Sequence, residues 1–106
     1  VFLHHNLNPT WAAALHDTTA FLDLLKARPQ ARAAIFGHTH VWHVHHDDGL
    51  HLVNIPAVGY KFQPKQPIGW CLYRPHPDGA EIELRPIGRD HKRRGIERRE
   101  LRWRTA

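Results

Sequence analysis

The chain has 106 residues and a mass of 12.3 kDa, enough for one ordinary domain or part of a larger one. With 42% apolar residues a packed core is accessible, and the single cysteine, Cys71, excludes an intrachain disulfide framework. The net charge of +5 is uneven: residues 85–106 hold nine Lys/Arg against three Asp/Glu, while the rest is close to neutral, so the basic character belongs to the C-terminal stretch.

No apolar run approaches the ~20 residues needed to span a bilayer, so no membrane association is expected. No signal-peptide pattern is present either, and a cytoplasmic location is expected. The chain begins Val1-Phe2-Leu3 without methionine, as a piece of a longer protein would.

Val1–Leu3 is a short apolar run that reads as a fully buried strand ending at His4-His5. Asn6-Leu7-Asn8-Pro9-Thr10 breaks regular structure, and Trp11 is placed either as a packing anchor or as a roof over a pocket. Asp17 or Thr18 can cap a helix to about Ala27, with Phe21, Leu22, Leu24 and Leu25 as its apolar stripe. Arg28 precedes Pro29, a position that disfavours helix. Arg32–Phe36 is a second apolar run, ending at Gly37-His38-Thr39-His40. Strand, helix, strand is the order of a βαβ unit, whose two strands lie parallel.

From Val41 the apolar period becomes two, and Asp48-Gly49 signals a two-residue hairpin turn. That turn sets His46 opposite His51, Val44 opposite Val53 and Trp42 opposite Ile55. Trp42, Val44, Val53 and Ile55 then share one face, and Val41, His43, His45, Leu52 and Asn54 the other. Residues 56–67 read as a loop in which Tyr60, with Asn54 before it, stands as a candidate edge of a site. A second hairpin turns at Pro77-Asp78-Gly79, with Trp70, Leu72, Ile82 and Leu84 alternating against Cys71, Tyr73, Glu81, Glu83 and Arg85. Residues 89–106 are nearly all charged and are expected to form a basic, mobile tail after a folded part at 1–88.

Histidine carries the chemical signal: 11 in all, five of them between positions 38 and 46. His4 and His38 both follow the end of an apolar strand, and the carboxyl ends of strands in an open α/β sheet are where sites form. Gly37 lets the chain leave its strand sharply. In an extended segment His38 and His40 point the same way with Cβ atoms ~7 Å apart. That span suits two imidazoles serving two metals ~3.5–4 Å apart. Imidazole accepts Zn, Fe, Mn, Ni or Co, so ligand type does not choose the ion. His43, His45, His46 and His51 read either as a second metal cluster or as the polar positions of a hairpin.

Leu3-His4-His5 after one strand and Gly37-His38-Thr39-His40 after the next resemble the last two motifs of the calcineurin-like metallophosphoesterases, over roughly residues 1–85. The resemblance implies fold class α/β (α+β). It would be the C-terminal half of a two-sheet αββα sandwich, with one main helix and about six strands including two hairpins. It implies a hydrolase cleaving phosphodiesters or phosphomonoesters through a metal-bridging hydroxide at a binuclear site, with the phosphodiesterase branch favoured. Carried over by position, His4, His38 and His40 are metal ligands and His5 is a catalytic residue lining the site. The cofactors are two divalent ions (Mn, Fe, Zn or Co), and the substrate is a small-molecule phosphate ester. The family's upstream aspartates and Asn-His pair have no counterpart here, so the missing N-terminal half of the same domain becomes a partner, and the fragment alone is expected to hold part of a site and to have little activity. The alternatives are a nucleic-acid-binding module using the basic tail, which is not favoured, and a non-catalytic His-rich metal-binding element.

Overall fold

The computed structural model describes residues 1–8 and 14–105. Trp11 lies outside them. The elements are α1 (Thr18–Lys26), β1 (Ala33–Phe36), β2 (His43–Asp47), β3 (Leu50–Asn54), β4 (Gly69–His76), β5 (Gly79–Pro86), α2 (Arg89–Arg94) and β6 (Glu97–Arg102). The strands form two three-stranded sheets, ordered β1-β3-β2 and β4-β5-β6. The fold is mixed α+β, with one main helix and six strands, as the sequence implies.

The layers follow from which side chains are apolar. Leu22 and Leu25 of α1 pack with Ala34, Phe36, Leu50 and Leu52 on one face of the first sheet. Ile35, Trp42 and Val53 on its other face pack with Ala80, Ile82, Leu84 and Leu101 of the second sheet. The first sheet is thus a middle layer, buried on both sides. Each such leucine or isoleucine contributes about 1.5–3 kcal/mol by leaving water. Among the described residues no helix is long and apolar enough to cross a membrane.

Along α1 the buried positions are Thr18, Leu22 and Leu25, whereas Leu24, expected in the apolar stripe, is exposed. Spacings of four and three keep residues on one helix face, and Leu24 falls to the side. The helix ends at Lys26 with Ala27 as its C-cap, ahead of Arg28-Pro29. Its first turn is tied by the Thr18 hydroxyl, which donates to the Leu15 carbonyl, and Asp17 makes no side-chain cap.

The first hairpin has the register expected from Asp48-Gly49: His46 faces His51 and Val44 faces Val53. Both turn residues have positive φ, 51° and 78°, as a type I′ turn requires. β1 joins β3 in parallel. Phe2 bridges Ile35, also in parallel, with Leu3 N–H donating to the Ile35 carbonyl and Ile35 N–H to the Val1 carbonyl. The expected parallel neighbours are therefore real, but the first is not a buried strand. Val1 is 50% and Phe2 73% exposed, and the segment makes a single parallel bridge to β1.

Two expectations for the second half are corrected. In the β4–β5 hairpin Tyr73 faces Ile82 and Cys71 faces Leu84, so Cys71 and Tyr73 point into the core and Trp70 and Leu72 point out. Alternation along one strand fixes two faces, but only the cross-strand register says which is inner. Burial pushes the Cys71 thiol up to about 12, and Trp70 instead lies under the Arg85 guanidinium. The charged stretch after residue 88 is not irregular: α2 packs on β5, and β6 pairs with β5 from Gly79–Arg102 to Leu84–Glu97. Sheet pairing crosses the expected division at residue 88. β6 runs so close to β5 that a Cβ on Gly79 would sit 2.1 Å from the Leu101 carbonyl oxygen.

Candidate functional site

Because Val1–His4 and β1 run in parallel side by side, their carboxyl ends lie together. Gly37 N–H donates to the His4 carbonyl at 3.0 Å, which fixes the two strand ends. Just beyond, His4 Nε2 and His38 Nδ1 are 3.1 Å apart. The His38 ring centroid lies 5.0 Å from that of His4 and 4.6 Å from that of His5. Three imidazoles from two chain segments thus gather at one end of the sheet. Burial, and then the neighbouring imidazoles of His5, His4 and His40, disfavours protonation of His38. The neutral ring keeps a nitrogen lone pair available as a ligand.

The path from His38 to His40 is not extended. His38 and His40 both have positive φ, 74° and 57°, a region that costs energy for residues with a Cβ. Thr39 N–H donates back to the Gly37 carbonyl, so the chain turns tightly. Both side chains still line one cavity with His4, the 55–59 segment and Tyr60. His40 does not join the other three rings. It lies flat on Phe62, centroids 4.0 Å apart and planes 3° apart, with Tyr60 edge-on at 4.9 Å. Its Nδ1 is buried with no hydrogen-bond partner among the described residues.

Two nitrogens bonded to one ion at ~2.0–2.1 Å in tetrahedral geometry lie ~3.3 Å apart. The His4–His38 spacing is close to that, and it also suits a hydrogen bond between the rings. The unpartnered Nδ1 of His40 is the other feature that fits a ligand. The donor set is nonetheless incomplete. Among the described residues no group of three or more His, Cys, Asp or Glu is placed to hold a metal ion. The acids of the first hairpin lie at its turn, the far end of β2 from His40: Asp47 faces Leu50 and accepts from Lys26 Nζ at 3.1 Å, and Asp48 is in the turn itself.

The other histidines are not one cluster. The pleat separates them, with His43 and His45 on one face of β2 (ring centroids 4.6 Å apart) and His46 on the other, across from His51. His51 Nε2 is 2.6 Å from the Arg102 carbonyl oxygen, which binds the first sheet to the end of β6. Asn54 is fully buried, and its side-chain amide donates to the Val41 carbonyl at 3.0 Å, so it braces the chain just after His40 rather than lining the cavity. Tyr60 does line it.

Sequence reasoning missed Phe62. The alternation Tyr60-Lys61-Phe62, two aromatics around a charge in a loop rich in proline, was the available signal. It also missed how far the basic stretch is used internally. Glu83 is paired by Arg85 and Arg98, each at 2.7 Å, and Arg94 bonds Glu97 at 2.7 Å. Arg104 donates to the carbonyls of Leu25, Arg28 and Ala31.

A helix, a mixed sheet and a second antiparallel sheet, with histidines at the ends of adjacent parallel strands, make up the arrangement. The solved structure of Vacuolar Protein Sorting 29 from Cryptosporidium parvum has a similar fold, matching over 94% of this chain with a TM-score of 0.61 and 18% identity. The chain spans about half (50%) of the length of that structure. No family model and no curated protein matches.

Proposed function

We propose that this chain is the histidine-bearing half of a metal-dependent phosphoesterase, favouring phosphodiesters. The observation that carries the reading is the approach of His4 Nε2 and His38 Nδ1 to 3.1 Å across two parallel strand ends. Similarity to the metallophosphoesterase fold supports it.

His4 and His38 would hold one divalent ion and His40 the other, once its ring leaves Phe62. Two such ions, when bound, supply Lewis acidity toward the phosphoryl oxygens and lower the pKa of water from 15.7 toward ~7. The chain's own residues do the rest. The Gly37–His4 backbone hydrogen bond holds the two ligand-bearing ends in register, and neutral His38 presents a lone pair without first losing a proton. His5, its ring tilted beside that of His38 with centroids 4.6 Å apart, is assigned to orient the phosphoryl group or to give a proton to the departing alkoxide. Three neutral imidazoles leave two dications uncompensated, so the balancing carboxylates are assigned to the part of the domain outside this chain.

The test is hydrolysis of bis-p-nitrophenyl phosphate by the intact protein with Mn²⁺. His38→Ala and His40→Ala should abolish turnover while leaving the thermal midpoint nearly unchanged. Near-normal turnover in either variant rejects the reading.

A further inference from the structure

The loop after β3 leaves two large aromatic side chains in water beside the histidine cavity: Tyr60 is 63% and Phe62 61% exposed. Single exposed apolar residues are ordinary, but a contiguous group marks a binding surface. These two are contiguous, edge to face with centroids 5.5 Å apart, and both touch His40. Tyr60 shares the cavity of His4 and His38. Phe62 also walls a second cavity, where Lys61, Arg89 and Arg93 stand at the rim. The carboxylate there is already engaged, since Asp90 accepts both from Lys61 Nζ at 3.0 Å and from the Ile68 N–H at 3.1 Å. Arg89 and Arg93 are exposed and make no salt bridge or hydrogen bond among the described residues, though the Arg93 charge acts on Asp90. The order across the surface is therefore the imidazoles of His4 and His38, the two aromatics, then the exposed guanidiniums of Arg89 and Arg93.

We infer that Tyr60 and Phe62 set the specificity of the proposed phosphoesterase site. They select esters whose alcohol half is a planar aromatic ring system carrying a second negative charge. The inference rests on the phosphoesterase reading for the role of the histidines, and adds the class of substrate. A planar ring stacks on one of these two aromatics and meets the other edge-on, since they stand at 78° to each other and His40 covers one face of Phe62; an aliphatic alcohol can do neither. The second charge reaches Arg89 and Arg93, whose planar forks match phosphate oxygens.

The probes are adenosine 5′-monophosphate and ribose 5-phosphate, which share a phosphorylated sugar and differ in the ring, titrated into the intact protein by calorimetry. The nucleotide should bind about tenfold tighter or more, the range that stacking of one base supplies. Tyr60→Ala with Phe62→Ala should erase that advantage, and Phe62→Trp should keep it. Adenosine 3′,5′-bisphosphate should bind tighter still, a gain that Arg89→Ala with Arg93→Ala removes. Equal affinity for the first two ligands, or an advantage that survives loss of both aromatics, overturns the inference. Hydrolysis of bis-p-nitrophenyl phosphate, measured on the same protein, separates the two ideas. Selective nucleotide binding without hydrolysis keeps the aromatic subsite and removes the phosphoesterase reading. Hydrolysis without ring selectivity does the reverse.

Discussion

The Arg104 guanidinium donates to the Arg28 carbonyl at 2.8 Å, 76 residues earlier in the chain. It also reaches the carbonyls of Leu25 and Ala31 at 3.0 and 2.9 Å, so one side chain ties together the carbonyls around the end of α1, two of which, those of Leu25 and Arg28, also accept a backbone N–H. A cation at a helix C-terminus also opposes the partial negative charge there. Arg104→Ala should lower stability by about 1–3 kcal/mol, the range for hydrogen bonds to a charged group. Arg104→Lys should recover only part, because an ammonium cannot span the same acceptors as a planar fork. Urea midpoints of the three proteins decide; an alanine variant as stable as the parent would show these contacts to be incidental.

The C-terminal stretch also shows what patterning conceals. The β2–β3 register is legible because Asp48-Gly49 allows one turn geometry, and the parallel strand ends are legible because two apolar runs flank a helix. His4, His5 and His38 follow from that topology. β6 is not legible: Glu97–Arg102 contains one apolar residue, Leu101, so no period exists to detect. Its place is set by long-range ion pairs, Arg98 to Glu83 above all, and by a backbone approach that only Gly79 permits. The turn to positive φ at His38 and His40 is likewise imposed by tertiary packing, and so is the stacking of His40 on Phe62.

Leu101 tests whether β6 belongs to the fold or merely rests on it. It is 2% exposed and packed among Ala80, Ile82 and Leu84. Leu101→Ala should cost about 2–5 kcal/mol, the usual range for a buried leucine. Amide hydrogen exchange should show β5 and β6 opening together at lower free energy in the variant. Unchanged protection in β5 would mean that β6 adds little to the sheet.

Glu83 gives the second sheet a dependence on acid. It is 1% exposed at the side chain, and the hydrogen bond from Arg85, then that from Arg98, holds its carboxyl below the usual value despite the opposing effect of burial. A carboxyl depressed in the folded state adds stability that is complete above its unfolded pKa of ~4.3. That stability is lost as pH falls through the folded value. The thermal midpoint should therefore fall below about pH 4.5, and Glu83→Gln should start lower at pH 7 and decline less on acidification. Parallel curves for parent and variant would show that other carboxyls carry the acid response.

Metal affinity separates a phosphoesterase half-site from a histidine-rich store. If ions are held at the strand ends, His4→Ala and His38→Ala must each remove a direct ligand. Loss of a group one shell further out already costs 10–100-fold in affinity in typical metal sites, so a ligand should cost at least about tenfold. His46→Ala should change nothing, because His46 lies on β2 opposite His51, whose Nε2 is taken by the Arg102 carbonyl. Zn²⁺ titration of the intact protein by competition with a chromogenic chelator reads all three. A store spread over the hairpin would reverse the ranking, with His46→Ala costing as much as His4→Ala. The separation of the hairpin histidines onto two faces argues against that outcome, since a shared ion needs its ligands on one side of the sheet.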